Sequence, residues 1–287
     1  ILAIVMCLST LFSIVPMAYA AGDSETLNGW TLDEGYSVTS IWVYEGSYAL
    51  QHTGAESKAV SEEFELEDGV TYYVSAFVRN ANADASVKLN VGGFDIESTT
   101  NGKWEELSVN VLGNGSTDKV TITATGDAYI DGISVRPFKE GEELLTNGDF
   151  ATSGWGFTWL DEFEGHKGVL KATGSGVQTA GAPASPSVEP NSYYLYSADF
   201  YLEEGAPWLY ADMNDAVNEV QIRGTKTGEW QNVSAIWSSG SNMSTAIRLV
   251  KEDNWDDPIA GVPVTGAAYI DNVSFKKVTL YEDLIDD

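Results

Sequence analysis

Along most of the chain, short runs alternate apolar with polar residues and are separated by Gly, Asn and Asp. TYYVSAFVR (71–79), ASVKLNV (85–91), EELSVNV (105–111) and KVTITAT (119–125) are examples, as are SYYLYSADFYL (192–202), QNVSAIW (231–237) and TAIRLVK (245–251). Alternation with period two, rich in Val, Ile, Tyr, Phe and Thr, predicts half-buried β-strands, and no long segment keeps a helical period. The chain is therefore expected to be all-β.

The pattern repeats once. LNGW ending at Trp30 answers TSGW ending at Trp155, and LEDGVTYYVSAFVR from Leu66 lies without a gap on VEPNSYYLYSADFYL from Val188. NGKWEELSVNV from Asn101 answers TGEWQNVSAIW from Thr227, and AYIDGISVRPF from Ala128 answers AYIDNVSFKKV from Ala268. A repeat of this length is a whole domain. With roughly eight to ten strand-like runs per half, two tandem β-sandwich jelly-roll modules are expected, residues 21–138 and 143–279, joined closely through FKEGEELL and followed by an acidic tail, 280–287. The gap-free pairing also assigns faces. Tyr72, Val74, Ala76 and Val78, with Tyr194, Tyr196, Ala198 and Phe200, read as the core side. Tyr73, Ser75, Phe77 and Arg79, with Leu195, Ser197, Asp199 and Tyr201, read as a mixed opposite face.

Composition narrows the function. The first twenty residues, ILAIVMCLSTLFSIVPMAYA, fit the apolar region and small-residue cleavage site of a secretory signal peptide. Residues 1–20 are expected to be removed after Ala20, placing the protein outside the cell and off the membrane. Cys7 falls in this segment, so the remaining roughly 265 residues have neither disulfides nor thiol chemistry. With 15 basic against 43 acidic residues and a formal charge of −28, the surface repels nucleic-acid phosphates and anionic lipid. His52 and His166 are the only histidines and fall out of register between the halves, which argues against a histidine triad or a histidine-rich metal centre. Neither a nucleophile elbow, a P-loop nor a dinucleotide fingerprint occurs.

ELLTNGDFATSGWGF, GEWQNVSAIW and AYIDNVSFKKV together resemble the secreted carbohydrate-binding modules of the group that includes families 4, 9, 16 and 22. The likeness spans Glu143–Val278 fully; the first half lacks the NGDF opening. The resemblance implies non-catalytic binding of oligo- or polysaccharide, commonly beside a covalently linked glycan-degrading domain, and a structural calcium. Asp131 and Asp271 would be candidate ligands with Asp149 as a helper, although Ala151 replaces the acidic residue usual after NGDF. Turn or hydrogen-bonding roles for the two closing aspartates stand as the alternative. A structural or adhesive cell-surface sandwich, and the N-terminal fragment of a glycoside hydrolase, remain the other readings of the whole chain.

Sugar rings stack their C–H faces on flat aromatics, while their hydroxyls need polar neighbours. Trp30, Trp104, Trp155 and Trp230 recur in both halves and are expected in the cores. Unshared aromatics are the binding candidates: Trp159; Tyr201 with Asp199; Trp208 and Tyr210, which a match to Val87 and Leu89 would instead bury; and Trp255 with Asp256 in the inserted KEDNWDDPIAGVPVTG. In the first half, SIWVYEGSY (40–48) alternates as a strand would, giving Trp42 and Tyr44 on one face, and Phe77 with Arg79 forms a second polar-aromatic pair. The second module is expected to carry the stronger site.

Overall fold

Alternating burial along the expected strands is realised in a computed structural model that describes residues 29–153, 155–213, 220–252 and 264–285. No described residue is helical. The first module contains β1 (Trp30–Leu32), β2 (Tyr36–Thr39), β3 (Ala49–His52), β4 (Ser57–Ser61), β5 (Phe64–Leu66) and β6 (Thr71–Asn80). It continues with β7 (Ser86–Val91), β8 (Phe94–Glu97), β9 (Glu105–Leu112), β10 (Ser116–Asp118), β11 (Thr121–Thr125) and β12 (Ala128–Glu143). The second contains β13 (Thr158–Phe163), β14 (His166–Thr173), β15 (Gln178–Gly181), β16 (Tyr193–Leu202) and β17 (Trp208–Met213). It closes with β18 (Gln221–Arg223), β19 (Trp230–Ser238), β20 (Ile247–Glu252) and β21 (Ala267–Leu280).

Each module is a sandwich. In the first, the back sheet runs β1-β4-β11-β7-β8 and the front sheet runs β2-β3-β12-β6-β9; in the second, β15-β20-β17-β18 backs the front sheet β13-β14-β21-β16-β19. The parity read from the sequence holds on β6 and β16. Tyr72, Val74, Ala76 and Val78 are buried in one core, and Tyr194, Tyr196, Ala198 and Phe200 in the other. The gap-free alignment also reproduces a detail: the Tyr72 hydroxyl accepts the Glu67 N–H and the Tyr194 hydroxyl accepts the Glu189 N–H. Trp30 and Trp155 lie in the cores as expected.

The segment expected to be a connector is instead strand. The end of β12 pairs antiparallel with the end of β21, Phe138 opposite Leu280 and Glu140 opposite Val278, so the two front sheets merge into ten strands. The junction is reciprocal. Glu143, leaving the first module, accepts hydrogen bonds from Ser274 Oγ (2.5 Å) and the Phe275 N–H (2.9 Å) of the second. Asp283, leaving the second, accepts them from Ser134 Oγ (2.6 Å) and the Val135 N–H (2.8 Å) of the first. These are equivalent positions in the repeat, and the backbone repeats the exchange: Leu144 N–H donates to Phe275 O and Leu284 N–H to Val135 O. Ile285 then packs against the core of the first module, as Leu145 does in the second. The acidic tail is thus a clamp rather than a free end.

The junction also rests on side chains from the face opposite the cores. Tyr73, Phe138, Leu195 and Val278 form a buried cluster with Ile236 and Leu280 against it. Across it, the Ile236 N–H donates to the Tyr73 hydroxyl, and Ser108 Oγ and Asn110 Nδ2 reach Ser234. Phe138→Ala should cost about 3 kcal/mol, the usual loss for a buried Phe, part of it as a cavity. Calorimetry should then show the single unfolding transition of the parent chain split into two.

Candidate functional site

The repeated Asp of each closing strand sits at a β-bulge. The register of β12 shifts after Asp131 and that of β21 after Asp271, and the following residues, Gly132 and Asn272, take left-handed φ of 54° and 50°. Glycine and asparagine tolerate that conformation best. In both modules the aspartate's Oδ1 accepts the N–H of that next residue. Its other oxygen serves the local neighbour. Asp131 Oδ2 accepts the N–H groups of Tyr44 (2.7 Å) and Glu45 (3.1 Å), whereas Asp271 Oδ2 meets His166 Nδ1 at 2.9 Å. Burial raises the Asp271 carboxyl above its ordinary range, opposed by the His166 hydrogen bond. These carboxylates are latches between the sheet and the segment crossing it. Both oxygens of each are engaged by protein donors, and no group of three or more His, Cys, Asp or Glu side chains is placed to hold a metal among the described residues. Asp149 Oδ1 accepts the Ala151 N–H at 3.3 Å, and the neighbouring Gly148 carbonyl accepts the N–H of Val273, two residues beyond Asp271.

In the first module the latched segment is the β2–β3 loop. SIWVYEGSY, whose alternation predicts a strand with Trp42 and Tyr44 on one face, is instead a loop: Trp42 adopts φ of 56° and breaks the extended backbone. The loop nevertheless brings the expected residues together. Tyr44 stacks on Phe77 (ring centroids 3.7 Å apart, planes at 12°) and meets Trp104 edge-on at 5.6 Å. The Arg79 guanidinium lies 3.9 Å over the Trp42 ring and donates to Gly102 O. Trp42 remains 52% exposed and Tyr44 44%, with Ile41 and Tyr48 also exposed beside them. Glu106, opposite Phe77 on β9, accepts the Tyr73 hydroxyl at 2.6 Å. Its burial pushes the carboxyl up to about 7, and burial followed by the Glu106 charge raises Tyr44 above the usual phenol range.

Trp104 and Trp230 were expected in the cores and are not there. Tyr201 lies directly opposite Trp230, and facing residues of an antiparallel pair project to one side, so Trp230 joins Tyr201 on the outward face. Trp104 holds the matching place before β9. The signal was available in the outward parity already assigned to Arg79 and Tyr201; repeated identity favoured the core and misled.

On the second module the same face is more closed. Phe163 stacks on Tyr269 at 3.7 Å, Tyr201 meets Phe163 and Trp230 edge-on, and His166 stacks on Trp230 at 3.9 Å. These rings form a small packed cluster with Val169 and Ala267 beneath the β13–β14 hairpin. Asp199 has Asn232 Nδ2 at 2.7 Å and Asn272 Nδ2 at 2.8 Å. Trp159 is 36% exposed and donates to Phe150 O. Trp255 and Asp256 lie outside the described residues. Among the described residues, exposed aromatic surface on the front faces is concentrated in the first module; the expectation of a stronger second site leaned on Trp255, which lies outside them.

Trp208 and Tyr210 correct a register. Leu209, Ala211 and Met213 are the core residues of β17, so Leu209 rather than Trp208 takes the place of Val87, and a slip of one residue moves every side chain to the other face. Both aromatics face outward on the back sheet. Asp212, on the same parity of β17, is buried but paired: Arg248, opposite it on β20, binds both oxygens at 2.8 and 2.6 Å.

The chain matches no protein-family model and no curated protein. The solved structures it is similar to are mostly carbohydrate-binding modules. One is the N-terminal tandem pair of family 22 modules from Paenibacillus barcinonensis Xyn10C, 17% identical over 88% of this chain and 94% of that one, with a TM-score of 0.34. Others are a family 16 carbohydrate-binding module (19% identical, 48% of this chain and 99% of that one, TM-score 0.34) and TmCBM61 in complex with β-1,4-galactotriose (21%, 37% and 86%, TM-score 0.32).

Because the folded chain holds the Glu106 proton up to about pH 7 while the unfolded chain releases it near 4.5, stability should fall as pH rises through that window. Denaturant titrations at pH 5 and pH 7.5 should show a larger loss for the parent than for Glu106→Gln.

Proposed function

We propose that the protein binds neutral oligo- or polysaccharide without cleaving it, through the front face of the first module. The observation that carries this reading is the latched β2–β3 loop. It holds Trp42 and Tyr44 outward beside the Arg79 guanidinium, the exposed Glu45 carboxylate and the buried Glu106 carboxyl group. Flat rings supply stacking surface for the C–H faces of pyranose rings, and the guanidinium and carboxyl groups supply donors and acceptors for hydroxyls. Prepaid ordering of the loop matters here, since immobilising a free loop on binding would offset part of the gain. The −28 formal charge sets the ligand's character: an uncharged glycan suffers no repulsion. The second module's face, more closed among the described residues, acts as a weaker or differently shaped partner site.

This reading places the protein outside the cell, supported by the apolar N-terminal run, and gives it the task of holding a linked or associated glycan-degrading activity on its polymer. A structural calcium at the closing aspartates is not needed on this reading, since protein donors engage both oxygens of Asp131 and Asp271.

Affinity electrophoresis in gels containing neutral plant and microbial polysaccharides should retard the parent chain, equally with and without a chelator. Tyr44→Ala and Trp42→Ala should each weaken retention about tenfold, equivalent to about 1.4 kcal/mol, with thermal unfolding little changed. No retardation by any polymer, or retardation untouched by both substitutions, would refute the assignment.

A further inference from the structure

Behind the front faces, the end of the second sandwich meets the first module across a cleft of about 350 Å³, the lower end of the range of small-molecule sites. Its walls come from the β16–β17 turn and the β18–β19 connection, including Glu203, Trp208, Arg223 and Thr225, and from Thr99 of the first module. Trp208 stands on the outward parity of β17, a position that is Ser86 in the first module once the register is corrected, so this wall is not part of the shared packing. The Arg223 guanidinium lies 4.2 Å over the Trp208 ring and donates from Nη2 to Thr99 Oγ1 at 2.8 Å, crossing from one module to the other. Thr99 is itself fixed, its N–H and hydroxyl bonded to the Glu105 carboxylate. Glu203 is held by the Tyr269 hydroxyl (2.7 Å) and the Ala267 N–H (2.9 Å), the former chiefly keeping its carboxyl below the ordinary range.

We propose that this inter-module cleft is a second saccharide site, taking one or two residues of a neutral glycan, with Trp208 as the apolar wall and Arg223, Glu203 and the threonine hydroxyls as hydroxyl partners. The proposal deepens the glycan-binding reading, on which it rests, and adds that the site is complete only when both modules are docked. A planar indole beside a guanidinium, a carboxylate and hydroxyls offers an apolar patch, donors and acceptors within one small concavity, the combination a pyranose presents in reverse. Glu203 on the wall and the strongly negative chain favour an uncharged ligand over a uronate. Orientation is fixed in advance: Arg223 is pinned at both Trp208 and Thr99, so little side-chain freedom is lost on binding.

The test uses the full chain with ¹⁵N-labelled tryptophan, each indole peak assigned through its Trp→Phe variant. Neutral β-1,4-linked hexasaccharides of xylose, glucose, mannose and galactose are titrated in, with hexagalacturonate as the charged comparison. The Trp208 peak should shift saturably with at least one neutral probe, and should still do so in Tyr44→Ala, where the front face is disabled. Thr99→Val, which removes the first module's hydroxyl, should weaken the Trp208 response about fivefold while leaving the Trp42 and Trp104 responses unchanged. A stationary Trp208 peak alongside moving Trp42 and Trp104 peaks overturns the cleft site and leaves the front-face reading standing. No indole response to any probe overturns both. Response of Trp208 to hexagalacturonate alone overturns the ligand class, and an unaltered response in Thr99→Val overturns the dependence on module docking.

Discussion

The reciprocal exchange of strand ends is the constraint on which the remaining architecture depends. The chain at the end of each closing strand, β12 itself at Glu143 and the segment just after β21 at Asp283, delivers an acid to the hydroxyl and backbone N–H that follow the other module's bulge. Two matched contacts of this kind, related as in an isologous dimer, fix rotation as well as separation. The apolar cluster around Phe138 and Tyr73 then excludes water from the junction. Outward residues of β6 and β16, which would face solvent in an isolated sandwich, become interface near the junction and remain open only further along the strands.

That division explains where chemistry can sit. Asp131 and Asp271 do equal work at the bulge, capping the left-handed residue beside them, but the second oxygen of each is spent on what differs between modules. In one it holds a loop that lifts Trp42 and Tyr44 into solvent; in the other it holds a hairpin whose Phe163 covers Tyr269. One shared residue therefore yields an open aromatic face and a closed one. Arg223 carries the same logic to the back of the molecule, where its reach to Thr99 depends on the clamp holding the modules in place.

How much of this could be read from the sequence follows the range of the interactions involved. The strands, the duplication and the core faces of β6 and β16 were legible because period-two alternation is local and the two halves check each other. WLYADM was misread by one residue because both of its parities carry apolar groups, and the partner that settles the register, Arg248, is distant in the chain. Trp42 and Tyr44 were identified as a pair but assigned to a strand, since the left-handed turn at Trp42 has no glycine to announce it. Trp104 and Trp230 were misplaced by weighting repetition above parity. The clamp of Asp283 was invisible as a contact, although GEELL and YEDLI occupy equivalent places after the two closing strands.

The exchanged strand ends make the two sandwiches one rigid unit that presents its outward faces in a fixed relation. Residual dipolar couplings measured for backbone amides in a weakly aligning medium test this most directly. β1–β12 and β13–β21 should report one alignment tensor of common magnitude and orientation. Two tensors of different magnitude, as independently tumbling modules would give, would contradict it.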